Sequence, residues 1–197
     1  MFSGKSSLMA TILKVTERSG TVEVNGMDIS MIPTEELRRW LVTIPQTPVI
    51  LPGSVRFNMS LLNSASDEEI VAALQKAQLW NIVSARGGLN GPMSGLDLSY
   101  GQQQLFSLAR AMLRTGRILL LDEAMSSVDF KTEELMHSII QEHFQGFTVI
   151  SIAHRLRACM SYDMCIVLSK GSILEIGRPS ELLELRGKFW ELWKSQS

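Results

Sequence analysis

The chain has 197 residues, 45% of them hydrophobic, which is enough to fill the core of one ordinary globular domain. Lys+Arg 19 against Asp+Glu 20 leave a formal net charge of -1, so no electrostatic ground exists for a nucleic-acid or anionic-membrane surface, and no nucleic-acid motif is present. The longest purely aliphatic run, Ile118–Leu121, falls far short of the roughly 20 residues of a bilayer span, and the first residues hold no signal-peptide apolar region.

In chain order, Leu8, Met9, Ile12 and Leu13 recur at helical spacing after Gly4-Lys5-Ser6-Ser7, so a helix N-terminus is expected there, with Gly20 as its stop. Thr21–Val24 alternates as a half-buried strand, and Asn25-Gly26 is the pair a tight hairpin favours. Leu41–Ile44 reads as a short strand ended by Pro45, which leaves Gln46 just past a strand end. Ser66 with Glu69 forms a capping box ahead of a helical face made by Ile70, Ala73, Leu74 and Ala77. Ser99 precedes an amphipathic helix carrying Leu105, Leu108, Ala109 and Met112. Ile118–Leu121 and Thr148–Ile152 are apolar runs of strand length separated by a helical segment, 131–144, a spacing that indicates a parallel sheet. Cys165–Leu168 and Ile173–Ile176 flank a Lys170-Gly171 turn, and helices close the chain at 180–185 and 189–193. Cys159 and Cys165 match no zinc spacing or disulfide framework, and a reducing cytosol suits them.

Three features carry chemistry. Gly4-Lys5-Ser6 at a helix start has the form of the end of a phosphate-binding loop, where backbone amides and the helix dipole attract phosphate oxygens. Lys5 would reach the outer phosphates and Ser6 would ligate Mg²⁺; taken alone, the tripeptide also fits an ordinary loop. Asp122-Glu123 places two acids at the carboxyl end of a buried strand, where open α/β sheets bind ligands. Asp122 would hold Mg²⁺ and Glu123 would polarise an attacking water, the competing reading being an exposed acidic turn. His154, two residues past the strand ending at Ile152, could touch a terminal phosphate or be structural, and His137 and His143 are given no role.

Leu98-Ser99-Tyr100-Gly101-Gln102 resembles the signature loop of ATP-binding-cassette (ABC) ATPases, normally Leu-Ser-Gly-Gly-Gln. Ile44-Pro45-Gln46 resembles the glutamine loop of that family, Ser127-Val128-Asp129 its aspartate loop, and Ile152-Ala153-His154-Arg155-Leu156 its switch histidine, all in the family's order. The resemblance is nearest to the second nucleotide-binding domain of the multidrug-resistance-associated (C) subfamily, carried by Ile44–Val49, Gly53–Asn58, Gln102–Leu105 and Leu108–Ala111, and the intact Glu123 favours the second domain. It implies an α/β fold over residues 1–197, a P-loop NTPase-type parallel sheet core lacking the family's first strands, with a helical signature subdomain at about 60–115 and a small antiparallel element.

The resemblance further implies a motor domain that binds and hydrolyses ATP with Mg²⁺ on the cytoplasmic face of a membrane exporter. Its catalytic residues would be Glu123, His154 and Gln46, its metal ligands Ser6, Gln46 and Asp122. ATP would be held by Gly4, Lys5, Ser6 and Ser7 and, across a head-to-tail sandwich with a second such domain, by Ser99, Gly101, Gln102 and Asp129. Transmembrane domains would be the other partner. Tyr100 replaces the usual first glycine of the signature, Phe2 stands at the loop's middle glycine, and the first loop glycine would precede residue 1. The chain is therefore expected to be an N-terminally truncated cassette or a degenerate relative. A non-catalytic cassette that pairs with another domain is the second reading; a soluble ABC ATPase is disfavoured by the lack of coiled-coil or basic insertions.

Overall fold

A computed structural model describes residues 4–61, 64–153 and 155–196. The elements are α1 (Lys5–Ile12), β1 (Glu23–Val24), β2 (Met27–Asp28), α2 (Thr34–Trp40), β3 (Leu41–Ile44), α3 (Val55–Met59), α4 (Asp67–Lys76), α5 (Trp80–Ala85), α6 (Tyr100–Met112), β4 (Ile118–Asp122), α7 (Phe130–His143), β5 (Thr148–Ile152), α8 (Leu156–Cys159), β6 (Cys165–Ser169), β7 (Ser172–Gly177), α9 (Pro179–Glu184) and α10 (Lys188–Gln196). The chain forms two compact units, Glu35–Ile150 and Met1–Thr34 with Ser151–Ser197. Among the described residues no helix is long and apolar enough to cross a membrane.

The larger unit is built on a sheet of order β3-β4-β5, in which β3 runs parallel to β4 with Leu41 opposite Ile118 and Ile44 opposite Leu121. Leu119, Leu120 and Leu121 are buried, as a central strand covered on both faces requires. Gly116, just before β4, is needed for close approach, since a Cβ there would sit 2.6 Å from Val42 Cγ2 and 2.7 Å from the Trp40 carbonyl oxygen.

The capping box of α4 forms as its sequence demands, with the Ser66 hydroxyl accepting from Glu69 N–H and the Glu69 carboxylate from Ser66 N–H. The helix of α6 departs from expectation. Its spacing predicts one apolar face, yet every residue from Gln104 to Ala109 is buried, and the polar members survive because Ser107 donates to the Gln103 carbonyl and Gln104 to that of Gln46. The sequence also assigns no element to α2, α3 or α5. Each has seven residues or fewer, too short to persist without tertiary packing.

In the smaller unit the β1–β2 hairpin turns on Asn25 and Gly26 at φ 52 and 76, the positive pair that a tight turn needs. The stop expected at Gly20 falls earlier. The helix ends at Ile12, where Lys14 N–H donates to Thr11 O, Val15 N–H to Ala10 O, and Lys14 takes φ 53; this left-handed close satisfies the last carbonyls at once. Antiparallel β6 and β7 join through Lys170-Gly171, and Cys159, Val167, Leu182 and Phe189 make a local core. The Glu175 carboxylate of β7 caps α10 by accepting from the amides of Lys188 and Phe189.

Phe106 is fully buried at the centre of the larger unit. Phe106→Ala is expected to lower the stability of that unit by about 3–5 kcal/mol, a loss read as a lower urea midpoint with an unchanged m-value.

Candidate functional site

The parallel register of β3 and β4 prepares the site. Carrying the Ile44–Leu121 pairing two residues onward sets Gln46 level with Glu123, while Pro45, lacking an amide hydrogen, ends the ladder between them. Gln46 Nε2 donates to Glu123 Oε2 at 2.9 Å. Glu123 takes φ 51, a left-handed conformation that costs a non-glycine residue on the order of 1–3 kcal/mol, and its carbonyl closes a turn by accepting from Ser126 N–H at 3.0 Å.

Asp122 directly precedes it on β4. Burial, and next the charge of Glu123, push its carboxyl above the ordinary 3.8. Two carboxylates side by side, one of them destabilised as an anion, form an oxygen donor set that a hard divalent cation would relieve, and Gln46, with its Nε2 turned to Glu123, keeps its amide oxygen as a further donor. Oxygen donors of this kind are those that Mg²⁺ takes.

The signature loop begins with Ser99, the N-cap of α6. Its hydroxyl accepts from Gln102 N–H at 3.3 Å, and Gln102 Oε1 accepts from Ser99 N–H at 2.9 Å. Accepting that bond leaves the hydroxyl's own proton to donate outward. Gly101 packs closely on the start of α7: a Cβ there would lie 3.3 Å from Thr132 Cγ2 and Oγ1 and 3.6 Å from Asp129 Oδ2. Asp129 is the N-cap of α7: its Oδ1 accepts from Thr132 N–H at 3.1 Å and its Oδ2 from the Thr132 hydroxyl at 2.6 Å. Those hydrogen bonds, the hydroxyl's above the amide's, lower its carboxyl.

Tyr100 and Gln104 come from the same helix. Tyr100 Oη donates to the Gln46 carbonyl at 2.6 Å, and Gln104 Nε2 donates to the same oxygen at 2.6 Å. Gln104 is the functional side chain that sequence reasoning missed. Its signal was a polar residue beside Leu105 and Leu108 in an apolar helical row.

In the smaller unit Gly4 is the N-cap of α1 at φ 93, and a Cβ on it would meet Gly171 Cα at 3.3 Å, so both its conformation and its packing require glycine. Among the described residues no side chain caps this terminus, and the amides of Lys5, Ser6 and Ser7 open the helix, with Ser6 and Ser7 exposed. The structure thus brings Gln46, Asp122, Glu123, Ser99, Gly101, Gln102 and Asp129 into the larger unit, and Gly4, Lys5, Ser6 and Ser7 onto one helix start in the smaller. His154 and Phe2 lie outside the described residues.

Residues 3–126 match the family model described as ABC transporter. The chain is 43% identical over 196 residues to human ATP-binding cassette sub-family C member 2, covering 98% of this chain and 13% of that protein. It is 40% identical over 189 residues to ABC multidrug transporter B of Aspergillus fumigatus, covering 95% of this chain and 13% of that one. A solved bacterial Atm1-family ABC exporter with ATP bound matches with a TM-score of 0.91 at 30% identity, covering 99% of this chain and 35% of the exporter chain. The chain thus spans about one eighth of the length of the curated relatives, 13% in each of these two.

Because the Asp122 carboxyl is raised in the folded state, its contribution to stability is fully present below 3.8 and is lost as pH rises through the folded value. Asp122→Asn is therefore expected to unfold at a higher temperature than the parent at pH 7, the difference closing as pH falls below 3.8; thermal melts across pH check it.

Proposed function

The chain belongs to the ABC transporter family, and from that premise we propose that it is the ATP-binding and ATP-hydrolysing motor domain of a membrane exporter, of the multidrug-resistance-associated (C) subfamily. Hydrolysis is phosphoryl transfer to water, a reaction in which the protein supplies position and charge more than covalent chemistry. The observation that carries this reading is the Gln46 amide on the Glu123 carboxylate at 2.9 Å, at the carboxyl ends of adjacent parallel strands.

In this reading Glu123 accepts a proton from, and orients, the attacking water. Gln46 holds that carboxylate and, with Ser6 and Asp122, binds the cation. Mg²⁺, when bound with nucleotide, offsets the charge of the phosphates. Gly4, Lys5, Ser6 and Ser7 receive the phosphates through backbone amides and the lysine ammonium, and His154 contacts the terminal phosphate.

Ser99, Gly101 and Gln102, at a helix start, serve the nucleotide of a second cassette in a head-to-tail sandwich. Asp129, committed to capping α7, supports that surface by shaping the turn against Gly101. Residues 60–115 act as the helical subdomain, and the domain works at the cytoplasmic face through transmembrane domains. Support for the partner and membrane roles is the likeness to membrane exporters.

Glu123→Gln, isosteric but unable to take a proton, is expected to cut ATP turnover by about 10²- to 10⁴-fold in the full-length transporter while nucleotide binding persists. Normal steady-state turnover by that variant would contradict the role of Glu123. Ser99→Arg is expected to abolish ATP-dependent association with the partner cassette and to spare nucleotide affinity at this domain's own loop. Calorimetry beside a sedimentation measurement of association separates the two effects.

A further inference from the structure

We infer that Tyr100, which stands where the signature loop usually has glycine, is a positioning residue for hydrolysis that acts through Gln46. The inference rests on the roles proposed above for Gln46 and Glu123.

A peptide carbonyl has two lone pairs, and at Gln46 both are taken, by Tyr100 Oη and by Gln104 Nε2, each at 2.6 Å. Gln104 approaches the neighbouring Pro45 carbonyl only to 3.5 Å, so its bond is directed at Gln46. Its amide orientation is determined as well. Reversing it would set Oε1 against the Gln46 oxygen, and Gln104 keeps the present orientation although its Oε1 is buried without a hydrogen-bond partner among the described residues. The two donors are one helical turn apart on α6, and a third residue of that helix, Arg110, donates to the Val49 carbonyl at 2.9 Å. The segment after β3 is thus tied to α6 at both ends of 46–49.

With two donors converging on one oxygen, the peptide plane after Gln46 cannot turn without breaking both bonds. With one donor it can pivot about that single bond. Fixing that carbonyl restrains the backbone of Gln46 from which its side chain starts, and the Nε2 of that side chain holds Glu123 Oε2 at 2.9 Å. Tyr100 therefore acts on the reacting water at two removes, through the Gln46 carbonyl and then the Gln46 amide. A phenylalanine keeps the ring and its packing and deletes the hydroxyl, with its 2.6 Å bond to the Gln46 carbonyl and the longer 3.4 Å bond it accepts from Gln104 Nε2.

The test is a double-mutant cycle in the full-length transporter, with steady-state and single-turnover ATP hydrolysis as readouts. Tyr100→Phe is expected to lower kcat about threefold to tenfold, the worth of one hydrogen bond, while KM for Mg-ATP moves less than about twofold. In a Gln46→Ala background, where the side chain being positioned is gone, Tyr100→Phe is expected to add nothing. An unchanged kcat for the single variant, or an equal loss in both backgrounds, overturns the inference, since a merely structural role would lower both alike. Turnover retained by Glu123→Gln in the same preparation would instead overturn the underlying role of Glu123, so the two failures are told apart.

Discussion

The parallel pairing of β3 with β4 is the constraint on which the rest of the candidate site depends. Parallel strands are locked by evenly spaced backbone hydrogen bonds, and the register that pairs Ile44 with Leu121 also brings Gln46 level with Glu123. The pairing of the two apolar runs and the delivery of Gln46 to Glu123 are therefore one register. The core beneath the site sets this register, and hydrogen bonds from α6 to the Gln46 and Val49 carbonyls hold the segment that follows.

Beyond the strand ends the backbone leaves regular structure at two points, for different reasons. Pro45 cannot donate to the ladder, so the chain departs from β3 as soon as the apolar run ends. Glu123 takes φ 51 instead, at a conformational cost that the turn to Ser126 helps to offset. Strain on a carboxylate beside a second carboxylate whose anion is disfavoured is costly for the fold, and the two together mark the strand end as a place arranged for chemistry.

The second organising element is α6. Its start bears Ser99 and Gly101, its middle is buried on every side, and Tyr100, Gln104 and Arg110 reach back to the segment after β3. A helix held so firmly by its core transmits position well, because a packed interior does not deform gradually. One rigid element thus connects the surface proposed to face a second cassette with Gln46 beside Glu123. The tyrosine in the signature loop, bulky where a glycine is usual, turns its hydroxyl to its own chain.

Sequence alone determined the features whose physics is local: the Leu41–Ile44 and Ile118–Leu121 strands from their apolar runs, the Ser66 capping box from the Ser-to-Glu spacing, the helix after Ser99 from its apolar period, the Asn25-Gly26 turn from its need for positive φ, and, through motif order, the family itself. Periodicity could not extend further. It marks which face of a helix is apolar, and so it described α6 as amphipathic; burial around its whole circumference arises from neighbours distant in sequence, as do the short helices α2, α3 and α5. The early end of α1 likewise turns on Lys14, whose left-handed conformation no propensity announces. Only the tertiary structure decided that Gln46 meets Glu123 and that Tyr100 and Gln104 share one carbonyl, because a hydrogen bond between residues 77, 54 or 58 positions apart depends on register and packing, which no local pattern encodes.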